Sequence, residues 1–194
     1  MKNRQITDAS MIANEVLDWK LKSGESGILC KLNIKKDFDQ LNWAYLINIL
    51  KQMGFRDRWI RWIFFCISTV KLSVLVNRSL VGFFSSKKGL RQGDPLFSFL
   101  FILAMEGLSQ MLTKAKELQW IQGLQVGSDP STTLTVPHLL YADDTLIFCG
   151  ADSQQISNLN ITLMVFEFIS GLHINMLKSI IYPVNEVSNP RGTS

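Results

Sequence analysis

The chain has 194 residues, 47% of them hydrophobic and 19% charged, with a formal charge of +4. That is enough apolar material for the core of one domain, or most of a larger one, so disorder is not the default; the mild basic balance admits nucleic acid as a partner without requiring it. The longest apolar run, residues 97–105, falls short of the roughly 20 residues a membrane helix needs, and the polar N-terminus is no signal peptide, so an intracellular protein of nucleus or cytoplasm, not secreted and with no membrane partner, is expected.

Asp8 is placed to cap a first helix with Ile12, Val16 and Trp19 on one face, ending near Gly24. Residues 27–34 alternate as a strand, with Ile28, Cys30, Leu32 and Ile34 on one side and Leu29, Lys31 and Asn33 on the other. Residues 43–53 read as a helix stopped by Gly54, and Asp57 as the cap of another running to Ile67, rich in Trp59, Trp62, Phe64 and Phe65. Leu72, Val74 and Val76 alternate, and Asn77-Arg78-Ser79 turns the chain into a partner strand with Val81 and Phe83. A basic loop, Lys87-Lys88-Gly89-Leu90-Arg91-Gln92-Gly93, leads to Asp94-Pro95, which opens a long helix to about Lys116. Residues 121–126 and 133–140 flank a polar turn at Ser128-Asp129-Pro130-Ser131. After Tyr141-Ala142-Asp143-Asp144 a strand runs to Cys149, Asp152 or Ser153 caps a helix stopped by Gly171, and residues 174–183 form a last strand region. The three cysteines lie far apart, without zinc spacing, and predict buried, reduced thiols. The pattern is α+β: a mainly antiparallel sheet with long helices on one face.

Four segments carry possible chemistry. Asp143 and Asp144 sit at a tight turn between two short apolar strands. Adjacent carboxylates repel, and a divalent cation removes that penalty, so the pair reads as a magnesium site of the kind used in phosphoryl transfer. Gly89 to Pro95 offers close backbone approach at its glycines, with Lys87, Lys88 and Arg91 as phosphate partners, although Gly-Asp-Pro alone is also an ordinary helix entry. Lys31 to Asp39 ends a strand in a turn with two carboxylates, Asp37 and Asp39. The last segment is Ser170 to Asn175 with Lys178-Ser179. His138 and His173 suit packing or surface roles rather than metal binding.

In this order, and with Arg4-Gln5-Ile6-Thr7-Asp8-Ala9-Ser10 ahead of them, these segments resemble the reverse transcriptase domain of LINE-type (non-LTR) retrotransposons, the plant forms in particular, over nearly the whole chain. The resemblance implies a polymerase palm over residues 1–187, with a fingers remnant at about 1–26, no thumb, and a loose tail at 188–194. It implies an RNA-directed DNA polymerase that uses an RNA template, a DNA primer and deoxynucleoside triphosphates, with two Mg2+ ions (Mn2+ as a substitute). Asp143 and Asp144 match the metal-binding aspartates. Phe38 matches the aromatic that gates against a 2′-hydroxyl, and Gln92, Gly93 and Arg91 match the nucleotide-binding loop. Lys178 matches a late lysine segment, and Lys87, Lys88 and Arg4 are placed for nucleic-acid contact.

The chain departs from the family pattern at informative places. Asn33 stands where the family has a metal-binding aspartate, Lys35 and Asp37 replace acidic or small residues, Phe97-Ser98 stands for Ser-Pro, and His173 for lysine. Asp37 would lie about 13 Å along an extended strand from Asn33, too far to substitute for it. With the family's endonuclease, most of its fingers, its thumb and its zinc segment absent, a truncated and partly degenerate copy is expected. Two other readings stay open: a non-catalytic palm that holds nucleic acid through Lys87, Lys88 and Arg91, and an interaction protein using the helix of Trp59 and Trp62, for which core packing is the simpler expectation.

Overall fold

The computed structural model describes residues 6–24, 26–35, 38–91, 93, 95–126, 134–141 and 144–185. Two compact units form, one from Met1–Lys35, Ser109–Val165 and Ile174–Ser194, the other from Lys36–Leu108 and Phe166–His173.

The first unit is organised by a four-stranded antiparallel sheet. Strand β1 (Gly27–Asn33) lies between β7 (Asp144–Cys149) and β8 (Ile180–Val184), and β6 (His138–Tyr141) borders β7. The alternation of β1 sets both faces. Ile28, Cys30 and Leu32 are buried on one side, opposite Cys149, Ile147 and Thr145. On the other side Leu29 joins Phe148, Val184 and Val136, covered by Val16 of helix α1 (Ile6–Ser23) with Ile12 and Leu17 alongside. That cover is confined to the Leu29 end, since Lys31 and Asn33, further along the same face, are only half-buried. The Cys30 and Cys149 thiols are buried neighbours; the hydrogen bond that Cys149 donates to Cys30, with burial added, pushes Cys149 up.

Strands β4 (Leu124–Val126) and β5 (Leu134–Val136) pair separately. Pro137 separates β5 from β6, since a residue without an N–H cannot continue a ladder. Helix α5 (Ser153–Ser170) starts as expected: Asp152 accepts from Gln154 N through its side chain at 3.3 Å and from Ile156 N through its carbonyl at 3.1 Å. The polar turn at 128–131 and the tail lie outside the described residues.

In the second unit Asn42 caps α2 (Trp43–Gln52), its side chain accepting from Ala44 N at 2.9 Å, and α2 buries Tyr45, Leu46, Ile49 and Leu50. Helix α3 (Asp57–Ser68) packs on α2. It contains Asp57 as its first residue, with Arg56 at the cap position. It buries Ile60 and Ile63, while Trp62, Phe64, Phe65 and Cys66 are exposed. The expected burial of Cys66 and Trp62 is thereby corrected, while Trp59 is half-buried and stacks on Phe55 with ring centroids 4.8 Å apart; α3 has more apolar residues than one buried stripe can take. Strands β2 (Lys71–Val76) and β3 (Ser79–Ser85) form a hairpin through Asn77 and Arg78, both at positive φ (48° and 66°), as a two-residue turn of matching twist requires. Helix α4 (Phe97–Glu117) begins two residues later than Asp94-Pro95 predicts, with Leu96 accepting its first turn's bond from Leu100.

One half-buried group gives the fold a pH dependence. His138 faces Ser109 of α4, with Oγ and Nε2 2.9 Å apart, and burial holds its imidazole below the ordinary value of 6.5. The unfolded chain therefore takes up this proton first. Stability is full above pH 6.5 and falls as the pH drops through 6.5 towards the lowered folded value. Urea-unfolding midpoints between about pH 8 and about pH 5 should decline in that sense, and His138→Gln should flatten most of the decline.

Candidate active site

In the first unit, the pairing of β1 with β7 brings two of the expected site positions together. Asn33 is the direct cross-strand partner of Asp144, and Tyr141 pairs with Asp144 on its other side. Opposed positions of an antiparallel pair share a face, with Cβ atoms about 4.5–5.5 Å apart. Positions 33 and 144 thus lie at the half-open end of the sheet, beyond the part that α1 covers. Asp143 and the side chain of Asp144 lie outside the described residues, as does Asp37. Among the described residues no three His, Cys, Asp or Glu side chains cluster as a metal site.

The main chain of Asn33 is held from its far side. Its carbonyl accepts from Asn175 N at 2.7 Å, and its N–H donates to Ser179 Oγ at 3.2 Å. Ser179 in turn donates to the Asn175 carbonyl at 2.8 Å, and Lys178, exposed, sits in the turn that Asn175 closes. The strand expected over 174–183 is accordingly shorter: Ile174 makes one isolated bridge to Ile34, a turn follows, and β8 begins at Ile180. The physical reason is that the Ser179 hydroxyl takes the place of a ladder partner for Asn33. Sequence reasoning gives Asn175 and Ser179 no role; their signal is only their place after the Gly171 stop.

The second unit holds the other candidates. Phe38 opens a 3-10 turn, Phe38–Gln40, and is buried edge-on to Phe97 (4.6 Å) and Phe101 (5.0 Å). Its carbonyl accepts from Leu90 N at 2.8 Å, Gly89 N donates to Leu41 O at 2.7 Å, and Trp43 Nε1 donates to Gly89 O at 2.7 Å. The glycine loop is therefore bound to the Phe38 turn. Beside it lies a cavity of about 380 Å³, with Phe38, Leu90 and Leu100 as apolar walls and Asp39, Lys88 and Arg91 among its polar lining. Lys88 Nζ donates to Gln40 Oε1, whereas Lys87 and Arg91 are exposed. Gly93 adopts φ 90° in open space. Gln92 and Arg4 lie outside the described residues.

A four-stranded antiparallel sheet of this order, with an aspartate opening β7 of its β6–β7 hairpin, has the palm-like fold of a nucleic-acid polymerase. Two solved telomerases share the fold: that of Candida albicans has TM-score 0.65 at 15% identity, covering 99% of this chain and 31% of that one, and that of Candida tropicalis has 0.65 at 16%, with the same coverage. The family described as reverse transcriptase (RNA-dependent DNA polymerase) matches residues 2–188, and the chain belongs to that family. An uncharacterized mitochondrial protein of Arabidopsis thaliana is 39% identical over 74 residues, 38% of this chain and 58% of that protein. A 149 kDa protein of transposon TX1 from Xenopus laevis is 27% identical over 176 residues, 91% of this chain and 13% of that protein. TX1 is a LINE-type element, so the expected non-LTR affiliation holds. The chain thus spans rather more than half of the first relative and about an eighth of the second. Among the described residues no helix is long and apolar enough to cross a membrane.

Two predictions follow from these contacts. Ser179→Ala removes the Asn33 amide's partner and should cost about 1 kcal/mol, read as roughly fivefold faster hydrogen exchange at that amide. Gly89 and Gly93 both have positive φ, but a Cβ at Gly89 would meet the Asp39 carbonyl oxygen, part of the main chain, at 2.2 Å. Gly89→Ala should therefore destabilise by more than about 2 kcal/mol, and Gly93→Ala by only about 1, in denaturant titrations.

Proposed function

We propose that this domain is the catalytic palm of an RNA-directed DNA polymerase, one that extends a DNA primer on an RNA template with deoxynucleoside triphosphates, and that its turnover is depressed by Asn33. The observation behind this is the cross-strand pairing of Asn33 with Asp144. Asp143 and Asp144 would hold the divalent ions, with Asn33 contributing a carbonyl oxygen; an all-oxygen donor set suits Mg2+. When bound, such ions stabilise charge on the attacking and leaving oxygens of an in-line displacement.

The chain's own part is to place and charge that pocket. Two magnesium ions bring four positive charges, and a carboxylate at position 33 would offset one more of them than the neutral amide does. Phe38, Gln92, Gly93 and Arg91 are proposed to position the incoming nucleotide, with Lys178 as an accessory cation and Lys87, Lys88 and Arg4 on the nucleic acid. The amide at position 33 also favours a second reading, a palm that binds nucleic acid without turnover.

A missing metal carboxylate of about 4 kcal/mol is roughly a thousandfold in rate. Primer extension on an RNA template should be low for the chain as it stands, rise markedly in Asn33→Asp, and vanish when Asp144→Asn is added. Equal rates for the chain and Asn33→Asp would refute the role given to position 33. Mg2+ titration with a deoxynucleotide present should show tighter binding in Asn33→Asp even where neither form extends a primer.

A further inference from the structure

Between Asp57 and Asp94 the sequence has seven lysines and arginines and no aspartate or glutamate. This stretch folds as α3 and the β2–β3 hairpin, both within the second unit. The two elements meet at one cavity, lined by Cys66 and Ile67 of α3, Leu72 of β2, and Ser86 and Lys88 just past β3. Large side chains that a core would take in are held outward: Phe83 is 71% exposed, Phe65 66%, Trp62 55% and Phe84 51%. A two-stranded hairpin open on both faces is marginal alone, and apolar area of this extent marks an interaction surface.

Charge decides what that surface meets. The seven cations outweigh the one acidic residue of these elements, Asp57 at the start of α3; they repel a second copy of the same face and any basic partner, and attract a polyanion. The exposed rings narrow the choice further. A double helix keeps the faces of its bases stacked within itself, whereas a single strand presents them to aromatic side chains. The Arg58 guanidinium already lies 4.8 Å from the Trp62 ring centroid, so cation and ring act on one spot.

We propose that the β2–β3 hairpin forms a stacking platform for single-stranded nucleic acid, with Phe83 taking a base and Lys71, on the same face of the hairpin, Arg78 and Lys87 taking phosphates. This rests on the reading of the chain as a nucleic-acid polymerase, but needs neither metal nor nucleotide. Binding is therefore measured in EDTA by fluorescence anisotropy, with oligo(dT), oligo(rU) and an abasic deoxyribose-phosphate oligomer of equal length. The abasic oligomer should bind at least about tenfold more weakly than oligo(dT), because stacking is lost and charge is kept. Phe83→Ala and Phe83→Leu should each lose about tenfold on oligo(dT) and change nothing on the abasic oligomer. Lys71→Gln should lower affinity for all three and flatten the salt dependence. Exposure at Phe83 makes these changes harmless to folding, which an unchanged thermal midpoint verifies. Equal affinity for the abasic oligomer overturns the platform, as does full affinity in Phe83→Leu or a chain whose Phe83 is buried in a dimer. Primer extension by Asn33→Asp reports separately on the polymerase reading, so one can fail while the other stands.

Discussion

The antiparallel pairing of β1 with β7 is the constraint on which the rest of the first unit depends. It puts Leu29 beside Phe148, giving α1 an apolar floor to cover, and Cys30 beside Ile147, giving the opposite face its buried strip. Because side chains alternate with a period of two, a slip of one residue would exchange these faces and expose both strips. Burial of Leu29, Phe148 and Ile147 therefore fixes the register. The register then carries Asn33 to Asp144, several residues away from the contacts that enforce it.

The second unit solves a comparable problem by other means. Its glycine loop makes no ladder with the Phe38 turn; two main-chain bonds and the Trp43 indole join them, and the lack of a Cβ at Gly89 lets the two backbones meet. Phe38 is set by the same junction, wedged between two rings of α4. A polar loop is thus held to an apolar anchor, a common way of fixing residues that must stay near a surface.

Much of this was legible from sequence where a local rule decides. The period of β1, the Asn77-Arg78 turn and the Asp152-to-Gly171 span of α5 each depend on residues near one another in the chain. Misreadings arose where a distant partner decides. Helix α3 is apolar nearly all round, and its sequence does not reveal how little of it α2 would cover. The irregular run after Ile174 depends on a hydroxyl replacing a ladder bond to a strand far away in sequence. For the site, the ordered motifs indicated which segments belong together; the cross-strand match of 33 with 144 needed three-dimensional register.

Two of the bonds that grip residue 33 come from its peptide group. Any amino acid except proline can make them equally well. An exchange between acid and amide at this position would leave both of these bonds in place while changing the charge that the strand end carries. A lineage could drift between acid and amide here by a single substitution and keep the main-chain grip on the strand end in either direction.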